Sequence, residues 1–228
     1  MSLSSALCRS NSAISCYSIM SFFLKVLVVG DVATGKTSLV NRLVSNVYNE
    51  GYKATIGCEF GFKVVEIEGE TVRVQLWDLA GQDRLGGISK LYCRDAHGAL
   101  VVCDVTKTET IAKTTKWKAQ VSEYARCSDG SEIPMVLCMN KADLLDVSPA
   151  QERLDHQGKE GGFTQVFLTS AKTALNAETA FESLVKAVMQ KRAELPPTVV
   201  DGRSQNPGGG LKLARQAVDT KSPKRKCC

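Results

Sequence analysis

From Phe22 onward, short apolar runs alternate with stretches in which apolar residues recur every three or four positions. The runs predict strands at residues 24–29, 72–77, 99–104, 135–140 and 165–169, and the amphipathic stretches predict helices at 36–46, 88–93, 111–125, 150–157 and 177–194. A sixth strand is expected at 60–68, because the turn Glu68-Gly69-Glu70 leads into Val72, Val74 and Leu76 alternating with Thr71, Arg73 and Gln75. The pattern is that of an α/β fold: a six-stranded, mostly parallel sheet with one antiparallel edge strand and helices on both faces. Ligands of such sheets bind beyond the carboxyl ends of the strands, and the motifs of this chain all fall there.

The chemistry begins at Gly30, Asp31, Val32, Ala33, Thr34, Gly35, Lys36, Thr37, which come directly after the first strand and open the first helix. Glycines let successive N–H groups turn inward as an anion nest, and the helix that continues through Ser38 points its positive end at the same place. Lys36 can reach the outer phosphates of a nucleotide, and the Thr37 hydroxyl can ligate the accompanying Mg²⁺. A plain glycine turn is the alternative, disfavoured by the strand, the spacing and the Lys-Thr pair. Asp78-Leu79-Ala80-Gly81 ends another strand, so Asp78 can hold the metal through water and the Gly81 N–H can meet the terminal phosphate. Gln82 is next, with an amide suited to orienting a water for in-line attack. Alone this motif is weak; one strand from a phosphate loop it is much stronger.

The base is named by Asn140-Lys141-Ala142-Asp143 at a third strand end. A carboxylate at Asp143 accepts from both the ring N–H and the exocyclic amine of guanine, and adenine offers no such pair. Ser170, Ala171 and Lys172, at the next strand end, can add a backbone N–H for the guanine carbonyl and a lysine stem for its face. Taken alone that triplet suits an ordinary loop. Four motifs in order, each at a strand end, point to a protein that binds GTP and GDP with Mg²⁺.

Composition sets limits on the rest. The 228 residues suit one domain with extensions, and 43% hydrophobic content suffices for a core. No run approaches the roughly 18 apolar residues of a membrane span. Nine cysteines and two histidines, with no CxxC, argue against a disulfide framework or a zinc site and for a reducing compartment. The histidines, His97 and His156, sit in no motif, and Trp117 reads as a packing residue. Residues 1–21 are rich in Ser and Ala and contain no acid, which reads as a disordered extension; Met20 is an alternative start and residues 1–19 are expected to be dispensable. After Glu194, Pro196 and Pro197 stop the last helix, and a Gly- and Pro-rich linker of roughly 30 residues begins, with a reach of about 30 Å. From residue 211 to the end there are six Lys or Arg against Asp219. No aromatic-interleaved basic patch supports nucleic-acid binding; a solvated or membrane-facing tail fits better.

These motifs resemble those of the Ras superfamily of small GTPases and, within it, the Rab family, over about three quarters of the chain. The resemblance implies a P-loop G domain at 22–195, an extension at 1–21 and a flexible hypervariable tail at 196–228. It makes the segment Tyr52-Lys53-Ala54-Thr55-Ile56-Gly57 the first switch, with Thr55 completing Mg²⁺ coordination, and gives Tyr48 the place of the ring stacked on guanine. The stretch from Trp77 to Leu85, with Leu91 to Arg94 after it, is similar to the second switch of Rabs, and its run from Gly86 to Tyr92 is similar to that of the lysosome-related-organelle subgroup. Phe60, Trp77 and Tyr92 match the rings with which Rabs meet effectors; packing accounts for the same rings equally well. Cys227 and Cys228 after Lys224-Arg225-Lys226 resemble a double-prenylation ending.

The resemblance implies a GTP/GDP-dependent switch that hydrolyses GTP and recruits effectors for vesicle trafficking. Its expected partners are an exchange factor, a GTPase-activating protein, a prenylation escort, a GDP-dissociation inhibitor and the membrane reached through the prenyl groups. Expected too are a monomer, no nucleic acid, and residence on the cytoplasmic face of intracellular endomembranes with a cytosolic pool. Departures from the family pattern are Asp83 and Leu85, which replace the usual Glu and Phe and bear on partner identity, and above all Val32 and Ala33. Val32 stands where a small residue is usual, so hydrolysis is expected to be slow. The alternatives are a GTP-loaded scaffold with negligible hydrolysis and a P-loop ATPase or kinase, against which Asp143 argues.

Overall fold

The computed structural model describes residues 22–51, 54–81, 90–145 and 161–193. Their strands are β1 (Phe22–Val29), β2 (Cys58–Ile67), β3 (Glu70–Leu79), β4 (Gly98–Asp104), β5 (Met135–Asn140) and β6 (Gln165–Leu168). The helices are α1 (Lys36–Ser45), α2 (Lys90–Cys93), α3 (Thr108–Ala112), α4 (Thr114–Tyr124) and α5 (Ala177–Ala193). The strands form one sheet in the order β2-β3-β1-β4-β5-β6, with β2 and β3 antiparallel and every other pair parallel. The six-stranded mixed sheet with its antiparallel edge is the one the hydrophobic pattern predicts.

Every residue of β4 and β5 is buried, which is why both read as unbroken apolar runs: each face of the central sheet is covered. One face carries Leu24, Val26, Leu76, Leu100 and Val136 against α1 and α5, with fully buried Phe181 among them. Truncating such a ring to alanine costs about 3–5 kcal/mol. The other face carries Leu27, Val101, Met135, Leu137 and Met139 against Ile111, Trp117 and Val121. At the edge, β2 and β3 meet through the two-residue turn Glu68-Gly69, with both residues at positive φ as a tight hairpin of this hand requires.

One expected element is different. Residues 111–125 read as a single helix, yet α3 begins at Thr108 and stops at Ala112, and α4 starts at Thr114. Between them Lys113 has φ −85° and ψ −4°. Threonines explain the break: Thr110 Oγ1 donates to Lys107 O at 2.9 Å and Thr114 Oγ1 to Ile111 O at 2.8 Å, side-chain bonds that compete with the helical ladder. The helix expected at 150–157 lies outside the described residues.

Candidate nucleotide site

The sequence GDVATGKT forms the turn from β1 into α1. Gly35 stands at φ 90°, and a Cβ there would lie 2.4 Å from Asn140 Nδ2, so both conformation and space require glycine. Ala33 also takes positive φ, at 61°. Thr34 is buried, with its hydroxyl donating to Asp31 O at 2.9 Å. The first turn of α1 has no acidic residue, so its positive end is left uncompensated beside the cleft that Gly35, Lys36, Thr37 and Ser38 line.

Lys36 is buried beneath this loop and donates to Gly30 O at 2.9 Å and Asp31 O at 2.8 Å. Burial lowers its pKa to about 8, with the charges of Asp78 and Asp31 opposing the fall, so at neutral pH it is a cation. Gly81 closes over it: a Cβ at Gly81 would lie 2.6 Å from Lys36 Nζ and 2.5 Å from Val32 N. The two nucleotide-facing loops therefore touch through a backbone position that has no room for a side chain.

Beyond the lysine, oxygens from three segments converge. Thr37 Oγ1 donates to Asp78 Oδ2 at 2.5 Å and lies 2.7 Å from Thr55 Oγ1, which is itself 3.4 Å from the same carboxylate oxygen. Asp78 is buried, and its Oδ1 has no hydrogen-bond partner among the described residues. Burial raises its pKa, against the Thr37 hydrogen bond and the Lys36 charge. A buried carboxylate with one idle oxygen and two hydroxyls at hand is a hard-oxygen set, and it fits magnesium. No cluster of three or more His, Cys, Asp or Glu exists among the described residues. One carboxylate with hydroxyls is how magnesium is held when phosphates complete its shell. The Ala80 N–H donates to Gly57 O at 2.9 Å, so the segments bearing Thr55 and Gly81 are joined directly.

The remaining motifs meet at the other end of the cleft. Buried Asn140 stitches two loops, its Nδ2 donating to Thr34 O at 2.9 Å and its Oδ1 accepting from the Ala171 N–H at 3.2 Å. Asp143 Oδ1 accepts from Ser170 Oγ at 2.5 Å, which orients an otherwise exposed carboxylate. Lys141, at φ 66°, places Nζ 2.7 Å from Asp104 Oδ2. Burial works to raise the Asp104 pKa, but the bonds from Lys141 and Thr106 outweigh it and hold the carboxyl below its ordinary value. Tyr48 packs half-buried against the α1 and α5 face, and Lys172 Nζ lies 3.5 Å from Glu50 Oε1. The cleft has a volume of about 500 Å³ and is lined by Val32, Ala33, Lys36, Thr37, Tyr48, Thr55, Gly81 and Lys141, among others.

Gln82, Tyr52, Lys53, Cys227 and Cys228 lie outside the described residues. Three contributors were missed by sequence reasoning. Asp104 had a readable signal, an acid closing an apolar strand; Arg42 and the polar use of Trp117 had none, since their partners are far away in sequence. Of the aromatic trio, Phe60 stands edge-on to Trp77 with centroids 4.5 Å apart and remains 54% exposed, and Tyr92 lies 6.3 Å from Trp77. Lys25 Nζ lies 3.7 Å from the Trp77 ring centroid. The trio packs together and still presents a ring to solvent.

A family model described as the Ras family matches residues 25–190. The Ras-related protein Rab-32 of Mus musculus is 37% identical over 206 residues, covering 90% of this chain and 89% of that protein. The chain belongs to the Rab branch of the Ras family. Rab-32A of Dictyostelium discoideum is 41% identical over 174 residues, covering 74% of this chain and 79% of its own length. Rab-7L1 of Rattus norvegicus is 39% identical over 171 residues, with 75% and 84% covered. This is therefore a Rab small GTPase near the lysosome-related-organelle subgroup, a GTP-hydrolysing switch of vesicle traffic that binds GTP and GDP with Mg²⁺. These relatives favour the switch over the permanently loaded scaffold. Like its relatives, it works through regulators and effectors. No helix among the described residues is long and apolar enough to cross a membrane.

Proposed function

We propose that the Rab cycle of this chain runs on the residues gathered in the cleft. Gly30 to Ser38 cradle the phosphates through backbone N–H groups, and Lys36 supplies a fixed cation to the outer phosphate oxygens. Thr37, Thr55 and Asp78 hold Mg²⁺, which when bound neutralises charge on the phosphates. The observation that carries this reading is the meeting of the Thr37 and Thr55 hydroxyls at Asp78 Oδ2, while the other oxygen of that buried carboxylate, Oδ1, has no hydrogen-bond partner among the described residues. Thr55 reaches the site only while the first switch is folded inward, so its hydroxyl ties switch conformation to the bound nucleotide. At the base, Asp143 pairs with the two donors of guanine, Asn140 and Ala171 hold the loops together, Lys141 and Lys172 flank the ring and Tyr48 stacks on it. Gln82 orients the attacking water, and the Val32 side chain slows that step.

On the same reading, residues 22–195 form the switch, residues 1–21 an extension of which 1–19 are dispensable for nucleotide binding, and residues 196–228 a tether ending in two prenylated cysteines, Cys227 and Cys228. Two chains with an adjacent Lys-Arg-Lys run give lasting attachment to an anionic cytoplasmic leaflet, which one chain does not. A monomer then cycles between endomembranes and a cytosolic pool held by a GDP-dissociation inhibitor, served by a prenylation escort, an exchange factor and a GTPase-activating protein. Effectors dock at the loaded switches and the ring set Phe60, Trp77 and Tyr92.

Labelled GTP displaced by unlabelled GTP or ATP, for wild type and Thr37→Asn, tests the site. Displacement by GTP alone, and weakened Mg²⁺-dependent binding in Thr37→Asn, are expected. Equal displacement by ATP would overturn the guanine assignment, and unaltered magnesium dependence in the variant would overturn the Thr37 assignment.

A further inference from the structure

Arg42 lies on α1 outside every motif, yet its guanidinium holds four carbonyl oxygens, two at the end of its own helix and two on a distant loop. Nε donates to Ala171 O at 2.9 Å and Nη2 to Lys172 O at 3.0 Å, spanning 129 and 130 residues. Nη1 donates to Asn46 O at 2.8 Å and to Asn46 Oδ1 at 2.9 Å. Asn46 is the left-handed residue that ends α1, and its own N–H returns to Arg42 O at 3.1 Å. No ion pair with a carboxylate involves Arg42 among the described residues. A guanidinium spent on carbonyl oxygens adds no charge neutralisation; its rigid planar fork fixes direction.

The direction it fixes belongs to the base-reading loop. Ala171 is held through both of its flanking peptides, its N–H by Asn140 Oδ1 at 3.2 Å and its C=O by Arg42. Through Asn46 the same fork sets where the chain leaves α1 toward Tyr48 and Glu50, and Glu50 lies 3.5 Å from Lys172 Nζ. The wall that carries the stacking ring and the loop that reads the base edge are thus clamped to each other by one side chain. We infer that Arg42 is a positioning residue for guanine: it touches no base atom but sets the orientation of the Ala171-Lys172 peptides relative to the Tyr48 segment, and so governs how long GDP stays bound. This rests on the assignment of Asp143 and of the Ser170-Ala171-Lys172 backbone to the base.

The experiment measures GDP dissociation with excess Mg²⁺, thermal stability, and single-turnover hydrolysis of pre-loaded GTP, for wild type and Arg42→Lys. Lysine keeps the charge and the stem but cannot form the fork. GDP release about tenfold faster or more is expected, since each bond from a charged donor contributes about 1.5–3 kcal/mol and 1.4 kcal/mol is tenfold. The preference for GDP over the 2-aminopurine diphosphate, which lacks the ring carbonyl, should narrow, while hydrolysis of the loaded protein stays within about twofold. A lower melting temperature with unchanged GDP release would show a purely structural arginine and overturn the inference. If Arg42→Lys fails to fold, Arg42→Gln gives the same readouts. Asp143→Asn tests the base assignment separately: it offers a donor to the 2-carbonyl of xanthine and should favour xanthosine diphosphate. Absence of that exchange would sink the base assignment, and the inference with it, whatever Arg42→Lys does.

Discussion

The indole N–H of Trp117 donates to Asp31 Oδ1 at 2.7 Å, joining helix α4 to the phosphate loop across 86 residues. Lys113 Nζ takes the other carboxylate oxygen, also at 2.7 Å, so both oxygens of Asp31 are engaged in a side chain only 16% exposed. Asp31 immediately precedes Val32, and its backbone oxygen accepts from both Lys36 Nζ and Thr34 Oγ1. A residue whose side chain is anchored to a helix and whose carbonyl anchors the loop lysine transmits the position of α4 to the phosphate site. The break between α3 and α4 contributes, because Lys113 is the residue that stands in it.

Replacing Trp117 by phenylalanine keeps most of the ring in the core and removes the donor. The loss of one hydrogen bond to a charged, mostly buried carboxylate is expected to cost about 1–2 kcal/mol, a fall of roughly 2–8 °C in melting temperature for a domain of this size. Nucleotide release should quicken with it, because the loop is no longer fixed to α4. Lys113→Met should have a smaller effect, its ammonium being exposed. Thermal unfolding of the GDP-bound protein checks this, and identical midpoints for Trp117→Phe and wild type would rule the anchor out.

Val32 is 44% exposed and lines the cleft within the loop that Gly81 covers, one residue before Gln82. Family turnover is slow, about 10⁻⁴ per second unaided and up to about 10⁵-fold faster with an activating protein. On the proposed reading, a branched side chain here competes for the space that the glutamine amide and an inserted arginine would use. Val32→Gly should therefore hydrolyse GTP severalfold faster in single turnover, with a larger gain in the presence of activator. The same substitution in a Gln82→Leu background should bring no gain. Equal rates for wild type and Val32→Gly would refute the crowding.

The sheet was legible because its determinants are local. The apolar runs of β4 and β5, the alternation in β3 and the turn at Glu68-Gly69 each act within a few residues. The phosphate and base motifs were legible for a related reason: a loop between strand and helix must supply its own glycines, hydroxyls and charges. What stayed hidden acts across the chain. Arg42 serves carbonyls about 130 residues away, and those carbonyls carry no side-chain signature. Trp117 shows its apolar face to sequence patterning and its single N–H only to Asp31. The split at Lys113 was missed because the helical period continues through it, and only threonine hydroxyls bonding back to the chain reveal the stop.

The proposed membrane attachment through Cys227 and Cys228 predicts a clean loss on their removal. With both changed to serine, the polybasic run alone contributes about 1 kcal/mol per cation near an anionic surface, and salt weakens it. The double variant, expressed in a prenylating cell, should move from the membrane to the supernatant fraction. Single variants should keep a weaker, exchangeable attachment, because one lipid chain is marginal. Membrane retention of the double variant in about 0.5 M salt would refute lipid anchoring at this pair.

His97 gives the protein a pH dependence whose sign is set by its burial. The Lys25 N–H donates to His97 Nδ1 at 3.1 Å, and the His97 N–H returns to Lys25 O at 2.8 Å, so the ring holds the start of β4 to β1 and must be unprotonated at Nδ1 to do so. Burial lowers its pKa from the ordinary 6.5, with the Arg192 charge acting in the same direction and Asp95 opposing. The unfolded chain therefore binds more protons than the folded one just below that ordinary value, and stability must rise with pH there. Its contribution is fully present above about pH 6.5 and is lost as pH falls toward the lowered value. Urea unfolding of wild type and His97→Asn at pH 7.5 and pH 5.5 isolates this part, since Asn offers an acceptor that does not titrate and the carboxylates are common to both. Wild type should lose more stability than the variant between the two conditions, and an equal loss would show that protonation of His97 is not opposed by the fold.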